Sequence, residues 1–226
     1  MALDRVSGRA VGVFREVGFA RERDGIYQLK ITLMEVEPSV WRRLEVPGLL
    51  TLDRLHRVLA QAMGWTAAHR HEFVIGDRRY GTPDPESSVS KILREHGVTL
   101  HDVVSSENTR FVYLYDMGNH WQHEVVVEKI LVTHADWAMP VCLAGERHCP
   151  PEDCGGVEGY EEFLEAIRRR DHPLHHAMLK WARERFDPDT FNLDEVNREL
   201  RRLKMTRPPV EEESRLGQRP LAGRRP

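Results

Sequence analysis

Long apolar runs are missing from the 226-residue chain. No stretch approaches the roughly 20 residues that a membrane-spanning helix needs, and the opening M-A-L-D-R-V-S-G-R has no apolar core of a secretory signal. These absences predict a cytoplasmic protein that does not enter the membrane. Cysteine is scarce too: three in all, an odd number that builds no disulfide framework, so the thiols are read as packed side chains or metal ligands. Excess positive charge is also lacking, and a net charge of −3 removes the global attraction to nucleic acid or anionic membrane. No phosphate-binding loop, Rossmann glycine pattern, G-x-S-x-G elbow, H-E-x-x-H or serine-recombinase signature occurs. The common enzyme classes lose weight accordingly, and whether the chain is an enzyme stays open at this level.

What is present centres on residues 111–132. F-V-Y-L-Y-D and W-Q-H-E-V-V-V-E-K-I-L-V flank a turn containing Gly118 and Asn119, the pattern of a β-hairpin. Alternation puts Phe111, Tyr113 and Tyr115 on one face and Val112, Leu114 and Asp116 on the other, which predicts strands covered on both sides. Asp116, Asn119, His120, Gln122, His123 and Glu124 gather around the turn.

Earlier in the chain, Tyr27, Leu29, Ile31 and Leu33 alternate with polar residues, and residues 40–46 alternate again before Pro47-Gly48, predicting an antiparallel pair. Leu52, Leu55, Val58, Leu59, Ala62 and Met63 recur at helical spacing between Thr51 and Gly64. Residues 73–75 and 78–80 read as a short hairpin. Residues 91–96 and 100–104 read as short helices begun by Ser90 and Thr99, and three further helices are predicted over 158–169, 173–185 and 192–203. The whole predicts residues 1–25 as a flexible arm, 26–204 as one α+β domain with an antiparallel or mixed sheet packed by helices, and 205–226 as a disordered tail.

Two groups carry possible chemistry. His69, His71, Asp116 and His123 offer imidazole and carboxylate ligands for a divalent metal, the cofactor such a cluster implies. On a strand, His69 and His71 project to the same side. Cys142, Cys149 and Cys154, at C-x6-C and C-x4-C spacing, make only one near-pair of the zinc type, so Cys149 and Cys154 are favoured as packed thiols over zinc ligands. Glu152 and Asp153 are adjacent in a loop and do not form an acid–base pair across a cleft. Trp41-Arg42-Arg43 and Arg78-Arg79, with Trp65 and Trp121 as stacking surfaces, would form a nucleic-acid face, against which the overall charge argues.

W-R-R-L-E-V-P-G, T-L-x-x-L-H, A-M-G-W, H-x-H-E-F, Y-D-M-G-N-H-W and C-P-P-E-D-C-G-G occur in this order between Trp41 and Gly156. On these motifs the chain resembles the plasmid pRiA4b ORF-3-like family from about Tyr27 to Leu203. The resemblance implies a compact α+β domain found in bacteria, often on mobile elements, and implies no activity. It places Phe and Asp where this chain has Met117 and Asn119, so a second carboxylate at the turn is absent here. The first expectation for function is a binding or adaptor domain, with a protein partner, whose polar groove is lined by His69, His71, Asp116, Asn119, Trp121 and His123. A metal-dependent hydrolase using the same His and Asp residues is the second, and a nucleic-acid-associated accessory protein the third.

Overall fold

The computed structural model describes residues 25–83, 91–132, 139–182 and 186–205. The arm and tail expected at the two ends lie, but for residues 25 and 205, outside them, as does Ser90. Alternation builds the first pair as expected: β1 (Ile26–Leu33) buries Tyr27, Leu29, Ile31 and Leu33, and β2 (Trp41–Pro47) buries Arg42, Leu44 and Val46. They pair antiparallel, Leu29 opposite Leu44. α1 (Leu52–Met63) follows and is closed by Gly64 in the left-handed conformation, which glycine adopts without a Cβ clash.

β3 (His71–Ile75) and β4 (Arg78–Gly81) form the second hairpin. The helix expected over 91–96 is instead strand β5 (Ile92–Arg94), parallel to β4. Gly97, at φ +82°, turns the chain within three residues of the strand. So short a segment cannot recover the cost of helix nucleation, whereas β4 offers it backbone partners, as in the Glu95 N–H to Gly81 carbonyl bond. Thr99 then caps α2 (Leu100–Val103) in a reciprocal capping box with Asp102, and β6 (Arg110–Tyr115) and β7 (Trp121–Leu131) form the central hairpin.

β8 (Val141–Glu146) completes an eight-stranded mixed sheet in the order β5-β4-β3-β6-β7-β1-β2-β8. α3 (Gly156–Arg168), α4 (His175–Trp181) and α5 (Leu193–Arg202) close an α+β fold. Asn192 caps α5 through the Glu195 N–H. Asn197 of α5 reaches the outer edge of β8, accepting from the Cys142 N–H at 2.8 Å and donating to its carbonyl at 2.9 Å.

Among the described residues only one face of the sheet is covered, which corrects the expectation of strands buried on both sides. Phe73, Phe111, Tyr113, Tyr115, Trp121, Val125 and Val127 are buried, while Val112 and Leu114 are half-exposed. The reason lies across the strands: Val112 and Leu114 face Glu124 and Gln122 of β7, so that side is a solvated, charged surface. Arg43 belongs to it, bonded to Glu128 at 2.6 and 2.8 Å.

Arg42 belongs to the inner face. Its guanidinium donates to the Ala62, Trp41 and Glu146 carbonyls and meets Cys149 Sγ at 3.3 Å, with Phe191 4.6 Å away. One side chain thus satisfies a carbonyl in the last turn of α1 and ties that helix to β8 and to the cysteine-bearing loop.

Candidate functional site

Three loops meet at one end of β3, β6 and β7. The first is 64–70 between α1 and β3, the second the 116–120 turn of the central hairpin, the third the cysteine loop 147–155. The hairpin turn is built on Asp116, itself at φ +58°. Its carboxylate accepts from the Gly118 N–H at 3.0 Å, the Asn119 N–H at 3.3 Å and the Asn119 side-chain amide at 2.6 Å, and its backbone N–H donates to the Arg70 carbonyl. Burial pushes this carboxyl up, but the Asn119 and Gly118 donors, with His69 nearby, outweigh it and hold Asp116 below the usual range.

The cysteine loop is fastened to both other loops. Trp65 Nε1 donates to the Pro150 carbonyl at 2.9 Å, and Glu152 accepts from the Thr66 N–H, the Thr66 hydroxyl and the Tyr115 hydroxyl, the last at 2.6 Å. Gly156, at φ +75°, lies so close to the hairpin turn that a Cβ there would stand 2.7 Å from the Asn119 carbonyl oxygen. Glycine is what permits that contact.

The result is a triangle. His69 Nδ1 lies 3.8 Å from Asp116 Oδ2, and His69 Nε2 lies 3.4 Å from Asp153 Oδ1. One ligand atom from each of these three residues falls within 4.8 Å of the others, the one such group of His, Cys, Asp or Glu among the described residues. Burial is graded across it: Asp116 is 9% exposed at its side chain, His69 33% and Asp153 69%.

Beside the triangle lies a pocket of about 540 Å³ lined by His56, His69, His71, Glu72 and Thr82 among others. His56 and His71 are stacked face to face, centroids 3.4 Å apart and planes within 2°. His71 Nε2 is 2.8 Å from Glu95 Oε2, and His56 Nδ1 is 2.7 Å from the Tyr113 hydroxyl. Desolvation, followed by the neighbouring His71, pulls His56 down to about 3, so that ring is neutral at pH 7. Burial raises the Tyr113 phenol well above its ordinary range.

The model of the plasmid pRiA4b ORF-3-like protein family matches residues 25–195, which include every residue of the triangle and the pocket. The chain belongs to that family. It is 38% identical to the uncharacterized protein y4hQ of Sinorhizobium fredii over 174 residues, 76% of this chain and 89% of the relative. The crystal structure of the protein of unknown function MM3350 from Methanosarcina mazei Go1 superposes with a TM-score of 0.69 at 33% identity, covering 76% of this chain and 97% of that one. Among the described residues of this family member, no helix is long and apolar enough to cross a membrane.

The fold brings His69 and Asp116 together, with Asn119 bonded to Asp116. His71 stands on the same face of the sheet but pairs with Glu95. Trp121 and His123 are 1% and 0% exposed. His123 donates from Nδ1 to the Tyr113 carbonyl, its Nε2 is buried without a hydrogen-bond partner among the described residues, and burial brings its pKa to about 4. Trp65 and Trp121 stack on one another in the core and offer no face to a base.

Cys149 packs against Arg42 and Met63, and Cys154 meets the Gly156 carbonyl at 3.9 Å; burial raises both thiols, Cys154 to about 12. Sequence reasoning missed three participants: Asp153 as the partner of His69, Glu95 as the partner of His71, and His56. For His56 and Asp153 the available signal was their position inside the motifs T-L-x-x-L-H and C-P-P-E-D-C-G-G; Glu95 lies in no motif.

Proposed function

We propose that this family member is a cytoplasmic binding domain that holds a divalent cation on His69, Asp116 and Asp153, at the edge of the neighbouring pocket. What carries the reading is the convergence of one imidazole and two carboxylates from three separate loops, each loop pinned by bonds that do not use the ligand atoms of His69 or Asp153. A cation about 2.1 Å from nitrogen and oxygen ligands needs those atoms about 3 to 4 Å apart. The ligand atoms here, within 4.8 Å, reach that spacing by small side-chain rotations, for which the exposed Asp153 has room. An Asp116 carboxylate held ionised by its donors is ready to bind metal without first losing a proton. Three protein ligands leave coordination positions for water or a bound group, the arrangement of an open site.

The test is elemental analysis of protein purified without chelator and then offered Zn²⁺ or Mn²⁺. About one equivalent is expected, lost in His69→Ala and Asp116→Asn and kept in Cys149→Ser. A folded protein that takes up neither metal, or variants that keep it, would overturn the reading.

A further inference from the structure

The Asp116 carboxylate has little left to offer a ligand. Oδ1 accepts from two backbone N–H groups, Gly118 at 3.0 Å and Asn119 at 3.3 Å, and Oδ2 accepts from the Asn119 side-chain amide at 2.6 Å. An ionised carboxylate has about four lone-pair sites. Three are taken, and the one that remains is on Oδ2, the oxygen that lies 3.8 Å from His69 Nδ1. The adjacent Glu152 adds nothing, because Thr66 and Tyr115 engage both of its oxygens. No other His, Cys, Asp or Glu among the described residues joins the group.

We propose that Asn119 makes this a site for a first-row transition ion and against Ca²⁺: it holds Asp116 to coordination through one oxygen, and it fills with an amide the place where a further carboxylate oxygen would stand. This inference rests on the metal reading above and names the class of cation and the positioning residue that selects it. His69 gives one nitrogen, Asp116 one oxygen and Asp153 at most two, so the protein supplies no more than about four donors. Ca²⁺ takes about six to eight, all oxygen. One imidazole with a few carboxylate oxygens instead suits Zn²⁺, Fe²⁺ or Mn²⁺.

The amide nitrogen decides the matter by where it stands. Asn119→Asp would set an oxygen in its place, beside Asp116 Oδ2, which the amide now meets at 2.6 Å. Two carboxylates that close repel unless a cation lies between them, and a hard cation is what such a pair recruits.

The experiment is calorimetric titration of full-length protein with Mn²⁺, Zn²⁺ and Ca²⁺. Wild type should bind the tighter of Mn²⁺ and Zn²⁺ at least about a hundredfold better than Ca²⁺. Asn119→Asp should shrink that ratio at least about tenfold. Asn119→Ala, which removes the donor without adding an oxygen, should weaken the transition ion about 10- to 100-fold and give Ca²⁺ no gain. A purely structural role for Asn119 would weaken both ions alike in the two variants. Wild-type protein that binds Ca²⁺ as well as Mn²⁺ or Zn²⁺, or a ratio unmoved in Asn119→Asp, overturns this inference alone. Failure to bind Mn²⁺ and Zn²⁺ overturns the metal reading and this one with it.

Discussion

The two faces of the sheet are made from the same strands and obey different physics. On the inner face, Arg42, Tyr113, His123 and the rings around them are out of water, and every polar atom has to find a fixed partner or go without. On the outer face, Arg43–Glu128 and Arg110–Glu124 form ion pairs at a solvated surface, and Arg79 reaches the buried carboxylate of Glu72. Arg42 and Arg43, neighbours in sequence, show the contrast most directly: one is a structural fastener among carbonyls and a thiol, the other half of a surface pair. The lesson is that residue type assigns little energy until strand alternation has assigned the face.

Four measurements would sharpen or break that contrast. Leu55→Ala, on the α1 face that covers the inner side, should lower unfolding free energy by about 2 to 5 kcal/mol; a negligible shift in urea midpoint would mean that α1 presents a different face. Acid should act next. His123 has its folded pKa depressed to about 4, so the neutral ring is the stable form. Its contribution is therefore whole above the unfolded value of about 6.5 and is lost as pH falls toward 4, by roughly 3 kcal/mol at most. His56 extends the same window lower. His123→Gln should flatten this slope, and an unaltered slope would place the acid loss elsewhere.

Arg42→Ala, which strips partners from the Ala62 and Glu146 carbonyls, should cost about 2 to 3 kcal/mol. Arg43→Ala should cost under about 1 kcal/mol, because a pair that is partly exposed is screened. Hydrogen bonding from Arg43 lowers the Glu128 pKa, so the contribution of the outer pair is present above the ordinary carboxylate range and fades as pH falls below about 4.5. Equal costs for the two arginine variants would dissolve the distinction between the faces.

Local pattern revealed much of this architecture. The alternation of Tyr27 to Leu33, the helical spacing from Leu52 to Met63 and the turn at Gly118-Asn119 are all properties of neighbouring residues, and the structure contains the corresponding β1, α1 and β6–β7 hairpin. β5 was not legible, because Ile92 to Arg94 is a strand only by virtue of the β4 edge beside it. Nor was the depth of Arg42: alternation sets it on the face of Leu44 and Val46, but residue type alone reads a charge as surface. At the site, His69 and Asp116 were legible as candidates by residue type. Their meeting with Asp153 depends on Gly156 approaching Asn119 and on Glu152 holding Thr66 and Tyr115, contacts between distant segments that no local spacing announces. Glu95 was hidden for the same reason as β5.

Asn197 sets the width of this sheet. Where a ninth strand would begin, the backbone amide and carbonyl of Cys142 are already taken by one side-chain amide, which imitates a peptide group while carrying no strand behind it. The β8 edge is thereby blocked at Cys142 against the pairing of another strand, while the opposite edge is the three-residue β5. α5 is in this sense a stopper as well as a packing helix.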